Sequence, residues 1–273
     1  MYHNNTRELY NTIKRIAEKF NKPEKPVRDR EGKLIPDEEG QKKRWAEHFQ
    51  ELLNRPAPQC TREIKPAEID LPIDCSQPRK EEVSQAIKQL KKGKAAGPDG
   101  IPAEALTTDI ETSTQMLWTL FKKIWEDERV PLEWKEGHLI KLPKKGDLSS
   151  CSNYRGITLL SIPGKVFNRV LLNKIKEAVD PKLRDQQAGF RKNRSCTDQI
   201  ATQRILIEQS LDWNSPLCIN FIDYEKAFDS VDRSTLWKLL RHYGVPQKVV
   251  DIIRSSYEGL MYRVVFILVP TSN

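Results

Sequence analysis

Between Pro216 and Gly244 the hydrophobic period of the chain changes once, and that change constrains the local architecture more tightly than any other feature of the 273 residues. Leu217-Cys218-Ile219-Asn220-Phe221-Ile222 is a short apolar run after a proline, the pattern of a strand buried in a sheet. Asp223 ends the run. After polar Asp229, Ser230 and Asp232, the apolar residues Leu236, Leu239, Leu240 and Tyr243 recur at helical spacing, and Gly244 supplies the stop. The expected unit is strand, acidic turn, helix. A carboxylate at the rim of a buried strand can offer hard oxygen ligands to Mg²⁺, although an isolated Asp there is more often a turn or cap residue. Phe228 taken alone is a core aromatic at a helix entry.

Composition points to an anionic partner. Forty-six basic against 38 acidic residues give a formal charge of +8, and nucleic acid is the commonest partner for such an excess. The excess is clustered. Lys88, Lys91, Lys92 and Lys94 form one group, Lys141, Lys144 and Lys145 a second, and Arg191, Lys192 and Arg194 a third. A charge run is usually a solvated face, so the clusters gain weight only from the segments that hold them. Hydrophobic residues at 38% and charged residues at 31% suit a large wet binding surface or a portion of a bigger fold.

Those segments are four. Lys91-Lys92-Gly93-Lys94-Ala95-Ala96-Gly97-Pro98-Asp99-Gly100-Ile101-Pro102 contains a tight-turn signal at Pro98-Asp99-Gly100. Leu142-Pro143-Lys144-Lys145-Gly146-Asp147, followed by Asn153-Tyr154-Arg155-Gly156-Ile157-Thr158-Leu159-Leu160-Ser161, carries an ammonium and a guanidinium that together can neutralise phosphate oxygens. Gln187-Ala188-Gly189-Phe190-Arg191-Lys192-Asn193-Arg194-Ser195 offers cations for phosphates, a glycine for close backbone approach, and in Phe190 either a core anchor or a stacking face. The fourth is Phe221 to Val231. In this order the four resemble the motifs of the reverse transcriptases encoded by LINE-type (non-LTR) retrotransposons, with the resemblance covering roughly residues 80 to 264.

The resemblance implies a helix-rich α+β fold, the fingers and partial palm of a right-hand polymerase preceded by a helical segment. It implies RNA-directed DNA polymerase (nucleotidyltransferase) chemistry with Mg²⁺, an RNA template, a DNA primer and deoxynucleoside triphosphates. Asp223 takes the place of the first catalytic and metal-binding carboxylate. Lys144 and Arg155 match the triphosphate contacts, and Phe228 the aromatic that lies under the sugar of the incoming nucleotide and excludes a 2′-hydroxyl. Gln187, Gly189, Phe190, Arg191, Lys192 and Arg194 fall in the segment that packs against the template strand. Gly156 stands where many relatives carry proline. After Val265 the family pattern would continue through a Gly-x-x-Gln-Gly segment to paired aspartates, whereas Phe266 to Asn273 read as an unrelated tail. The expected protein is therefore truncated before the second carboxylate motif and inactive on its own. A non-catalytic RNA- or DNA-binding remnant and an incompletely folding relic are the alternatives.

Along the chain, residues 1–56 read as two helical stretches, with Leu9, Ile13, Ile16 and Phe20 on one face and Trp45, Phe49, Leu52 and Leu53 on another. Residues 57–79, rich in proline, read as an extended linker. The reverse transcriptase portion spans 80–265 and the tail 266–273. Strands are expected at His138 to Leu142 and Ile157 to Leu160, and helices at Pro163 to Val179 and Thr197 to Trp213. Five cysteines without zinc spacing suit reduced thiols. No apolar run approaches membrane-spanning length, so a cytoplasmic or nuclear protein with no membrane partner is expected.

Overall fold

The computed structural model describes residues 26–57 and 63–265. The helix expected around Leu9 to Phe20, Cys60 and the tail 266–273 lie outside them. Two compact units divide the described residues: those within 26–51, 138–158 and 263–265 form one, and those within 52–137 and 159–262 the other.

The larger unit is built on a helical core. Helices α2 (Lys80–Lys88), α3 (Ala103–Thr108), α4 (Ile110–Asp127) and α5 (Ile162–Val179) precede α6 (Cys196–Asp212), α7 (Arg233–His242) and α8 (Gln247–Tyr257). In α4, Leu117, Phe121, Ile124 and Trp125 recur at i, i+4, i+7 and i+8, which places one apolar stripe on one face, and all four are buried. Asp109 caps this helix by accepting from the Thr112 amide at 3.0 Å. On α5 the facing stripe is Val166, Phe167, Val170 and Leu171, and Ser161 caps it through the Gly164 amide. Phe121 and Phe167 meet edge to face with centroids 5.0 Å apart. Val83 and Ile87 of α2 and Val249, Val250 and Ile252 of α8 complete the core.

Residues 63–79 are extended, as the prolines require, yet they form a strap and not a free linker. Ile73 is buried, and Leu71 and Cys75 pack on the same core. The indole N–H groups of Trp125 and Trp118 donate to the carbonyls of Cys75 (2.8 Å) and Pro78 (2.9 Å), while the Leu71 amide donates to Gly244 at 2.7 Å. Proline sets the backbone of such a segment, but the apolar residues between prolines decide whether it packs.

In the smaller unit a β-hairpin lies against α1 (Glu38–Leu53). Strands β1 (Glu136–Pro143) and β2 (Tyr154–Leu160) are neighbours in a three-stranded sheet of order β2-β1-β3, with β3 at Met261–Val265. Both hairpin strands and the helices expected at 163–179 and 197–213 are present. The third strand was not anticipated. Trp45 of α1 stacks on Phe49 (5.8 Å) and meets Tyr154 edge to face (4.8 Å), with the Lys141 ammonium 4.8 Å over its ring.

One expectation fails in an informative way. Leu217 to Ile222 is not a buried strand: the segment carries no ladder, and Phe221 and Ile222 are 82% and 75% exposed. A strand needs a neighbour to take its backbone groups, and among the described residues none lies beside this segment.

Candidate nucleotide and nucleic-acid site

The hairpin positions Lys144 and Arg155. Side chains alternate faces along a strand. On β1, Leu139 is buried and Lys141 covers Trp45, so the odd-numbered positions turn toward α1; on β2, Tyr154 and Gly156 do the same, an added Gly156 Cβ meeting Phe49 at 3.0 Å and Leu139 at 3.4 Å. The opposite face carries Leu142, Ile157 and Arg155. Lys144, just past β1, follows the same alternation, and its amide donates to the Asn153 carbonyl at 2.7 Å. That register sets residue 155 opposite residue 142. The ammonium and the guanidinium thus share one face of one hairpin, as diagonal neighbours. Arg155 is exposed, Lys144 half-buried, and among the described residues neither side chain is held in an ion pair.

The loop between them is braced from within. Asp147 accepts from the Ser149 amide (2.9 Å) and hydroxyl (2.7 Å), Asn153 Nδ2 donates to the Asp147 carbonyl (2.8 Å), and the Arg28 guanidinium reaches the Ser149 hydroxyl (2.8 Å). The chain between the two cations is held as a turn by its own side chains together with Arg28.

In the larger unit, Asp223 is exposed at the end of the extended segment and Phe228 stands 77% exposed in the turns that precede α7. The structure brings Phe228 together with Phe190, edge to face, with centroids 5.5 Å apart. Phe190 is 95% exposed, so of the two roles left open for it the core anchor does not apply. Its backbone sits at φ 60°, a region that costs a bulky residue about 1–3 kcal/mol and persists only where surroundings enforce it, and that of Asn193 sits at φ 59°, which Asn tolerates. Gly189 has room on its α-carbon, the nearest atom to an added Cβ being Gln187 Nε2 at 3.5 Å. Lys192 is exposed, and Arg194 pairs with Asp185 at 3.1 Å. Arg191 instead turns inward onto Asp180, with its side chain 5% exposed. The Arg191 guanidinium holds the Asp180 carboxyl below the usual carboxylate range, and Asp180 in turn raises Arg191. Sequence reading missed Asp180, because no motif spacing links it to Arg191 and only the turn of the chain after α5 brings them together.

Divalent-metal use is general among polymerases of the expected class. Among the described residues no three His, Cys, Asp or Glu side chains converge as a metal cluster. Asp223 by itself does not make up the donor set of a two-metal centre, so the described residues do not fit Mg²⁺ as a complete site.

Residues 142–268 match the profile of the family described as reverse transcriptase (RNA-dependent DNA polymerase). The match opens on the hairpin and runs through Phe190, Asp223 and Phe228. Its relatives are the polymerases of non-LTR retrotransposons. The chain is 27% identical over 245 residues to a Drosophila melanogaster protein named "Probable RNA-directed DNA polymerase from transposon BS", covering 86% of this chain and 26% of that protein. It is 25% identical over 206 residues to the RNA-directed DNA polymerase from mobile element jockey of the same fly, covering 73% of this chain and 22% of that protein. Against the Pol polyprotein of the fly type-2 retrotransposable element R2DM the figures are 22% over 215 residues, 78% and 20%. The chain spans about a quarter or less of the length of these relatives. No helix among the described residues is long and apolar enough to cross a membrane.

Proposed function

We propose that this chain supplies the fingers and the first part of the palm of an RNA-directed DNA polymerase of a non-LTR retrotransposon. The observation that carries the reading is the shared hairpin face of Lys144 and Arg155, two cations without carboxylate partners among the described residues, inside the stretch that matches the family. They hold the triphosphate of an incoming deoxynucleotide, the guanidinium as a fork and the ammonium as a point charge. Phe228 lies under the sugar and rejects a 2′-hydroxyl. Gln187 to Arg194 face the template strand, with Phe190 as the stacking surface and Lys192 and Arg194 as phosphate contacts, while Arg191 shapes the loop. Asp223 takes the part of the first catalytic carboxylate, and among the described residues no further acidic groups converge on it as a metal cluster. Two metals need several, so this polypeptide alone does not extend a primer.

Primer extension on an RNA template tests the catalytic half. No product is expected, and extension that vanishes in Asp223→Ala would overturn the reading. The exposed Phe190 also favours a second role, binding of single strands without chemistry, read in the same preparation by titrating salt. Each phosphate contact on a single strand contributes about 0.7 to the log–log salt slope, so Lys144→Ala with Arg155→Ala lowers the slope by roughly 1.4. A slope that those changes leave untouched excludes the hairpin from the contact.

A further inference from the structure

Resting on the assignment of residues 187–194 to the template side, we infer that Asp180 is a positioning residue: with Arg191 it forms a latch that holds the backbone of the loop in its left-handed turns and thereby presents Phe190 to a nucleobase beside Phe228. A guanidinium has five N–H donors, and in Arg191 all five are engaged. Nε donates to Asp180 Oδ1 at 2.8 Å and Nη2 to Oδ2 at 2.9 Å, the fork geometry of a bidentate pair. The second Nη2 hydrogen goes to the Asp180 carbonyl at 3.1 Å, and Nη1 divides between the carbonyls of Arg184 (2.8 Å) and Gln187 (3.3 Å). No donor is left for a phosphate. The same residue that reads in sequence as a cation for the template backbone is spent on the end of α5 and the entry of the loop.

The strained turn at Phe190, directly before Arg191, depends on the latch. Directly before Arg191 stands Phe190 at φ 60°, and two residues after it Asn193 at φ 59°. The left-handed turn is unfavourable for the bulky Phe190, whereas Asn193 is of a type that tolerates it. Gln199 Nε2 closes the far side by donating to the Gln186 carbonyl at 2.9 Å. Fixed at both ends, the loop places the Phe190 ring 95% exposed with its partner ring Phe228 centred 5.5 Å away. Exposure of a large aromatic in a strained turn is costly and yields nothing to the fold. An aromatic face offered to a base gains stacking energy that offsets the strain.

The test uses the full chain and a single-stranded RNA of about ten nucleotides bearing one 2-aminopurine, whose fluorescence falls when the base stacks. The unaltered protein quenches the probe, and Phe190→Ala loses the quench. Asp180→Ala and Arg191→Lys are expected to lose it to the same extent, and Asp180→Glu to keep most of it. Electrostatics alone predicts the reverse for Asp180→Ala, since removing an acid from a basic loop tightens phosphate binding. Unchanged quenching with tighter binding in Asp180→Ala would therefore refute the latch. A second readout needs no nucleic acid: trypsin cleavage after Lys192 under native conditions should quicken by about tenfold or more when the latch is cut. Cleavage rates equal to the unaltered protein in both variants would refute it as well. Failure of the unaltered protein to bind RNA in a salt-dependent way would defeat the template assignment, and the trypsin arm would still decide the latch. Matching far-UV circular dichroism establishes that each variant is folded, and Arg191→Lys, which keeps charge and stem, decides where Asp180→Ala is not.

Discussion

Gly97 has little freedom to change. A Cβ built on it would lie 2.5 Å from the Leu160 carbonyl carbon and 2.6 Å from the Ser161 amide nitrogen, so the obstacle is backbone at the point where Ser161 caps α5. Backbone there cannot yield cheaply. Gly97→Ala is expected to destabilise the chain by about 1–3 kcal/mol, read as a loss of several degrees in the melting temperature; a variant that melts with the parent would show the loop standing off the junction. Asp232 makes a different prediction. It accepts from the Thr235 hydroxyl (2.6 Å), the Ser234 hydroxyl (2.7 Å) and the Thr235 amide (2.8 Å) at the start of α7, and these bonds, the Thr235 hydroxyl foremost, pull its pKa from 3.8 to about 2. A depressed carboxylate contributes stability that is fully present above the ordinary pKa and lost as pH falls through the folded one. Between pH 4 and 2 the parent should therefore lose stability faster than Asp232→Ala, and parallel acid titrations of the two would show the cap to be idle.

Single hydrogen bonds also join elements far apart in sequence. Val130, just before β1, donates its amide to Ser255 Oγ of α8 at 3.1 Å, 125 residues away and buried. Ser255→Ala leaves that N–H without an acceptor, at about 1–3 kcal/mol; urea midpoints that coincide for the two proteins would mean the amide finds another partner. This contact could not be read in the sequence, where Ser255 is one polar residue within a helical pattern. What could be read were the periodic elements. The stripes of α4 and α5, the hairpin strands and the start of α7 are set by apolar spacing and caps, because those signals act within a dozen residues. The strand expected at Leu217 to Ile222 failed because a strand is a property of two segments and its partner is not among the described residues. The strap at 63–79 read as a linker because its packing comes from Leu71, Ile73 and Cys75, spaced between prolines without a period. At the candidate site, motif order proposes Lys144, Arg155, Phe190 and Phe228 as a group, whereas Asp180 becomes visible only through its bonds to Arg191.

Stability is unevenly spread through the larger unit. Helices α2, α4, α5 and α8 share one buried core with Phe121, Phe167 and Trp125 at its centre, whereas α6 buries no residue at all. Ile200, Leu211 and Trp213, at 65%, 74% and 74% exposed, leave an apolar flank on α6 and its C-terminal cap uncovered, and the extended segment after it is exposed as well. A helix of 17 residues with little packing is marginal in water, since helical stability in proteins comes mostly from burial of one face. Opening of α6 therefore costs far less than global unfolding, because few buried contacts break. Native-state hydrogen exchange gives the check. Amides of α4 and α5 should exchange only through global unfolding, with a denaturant dependence that matches the equilibrium transition, and those of α6 and residues 215–224 by local opening that is faster by orders of magnitude and nearly independent of denaturant. Equal protection of α6 and α5 would mean that the apolar flank is covered in solution, by another segment or a second molecule. Asp223, the carboxylate expected to carry the chemistry, stands in that exposed extended segment, so the same exchange experiment reads how firmly it is held.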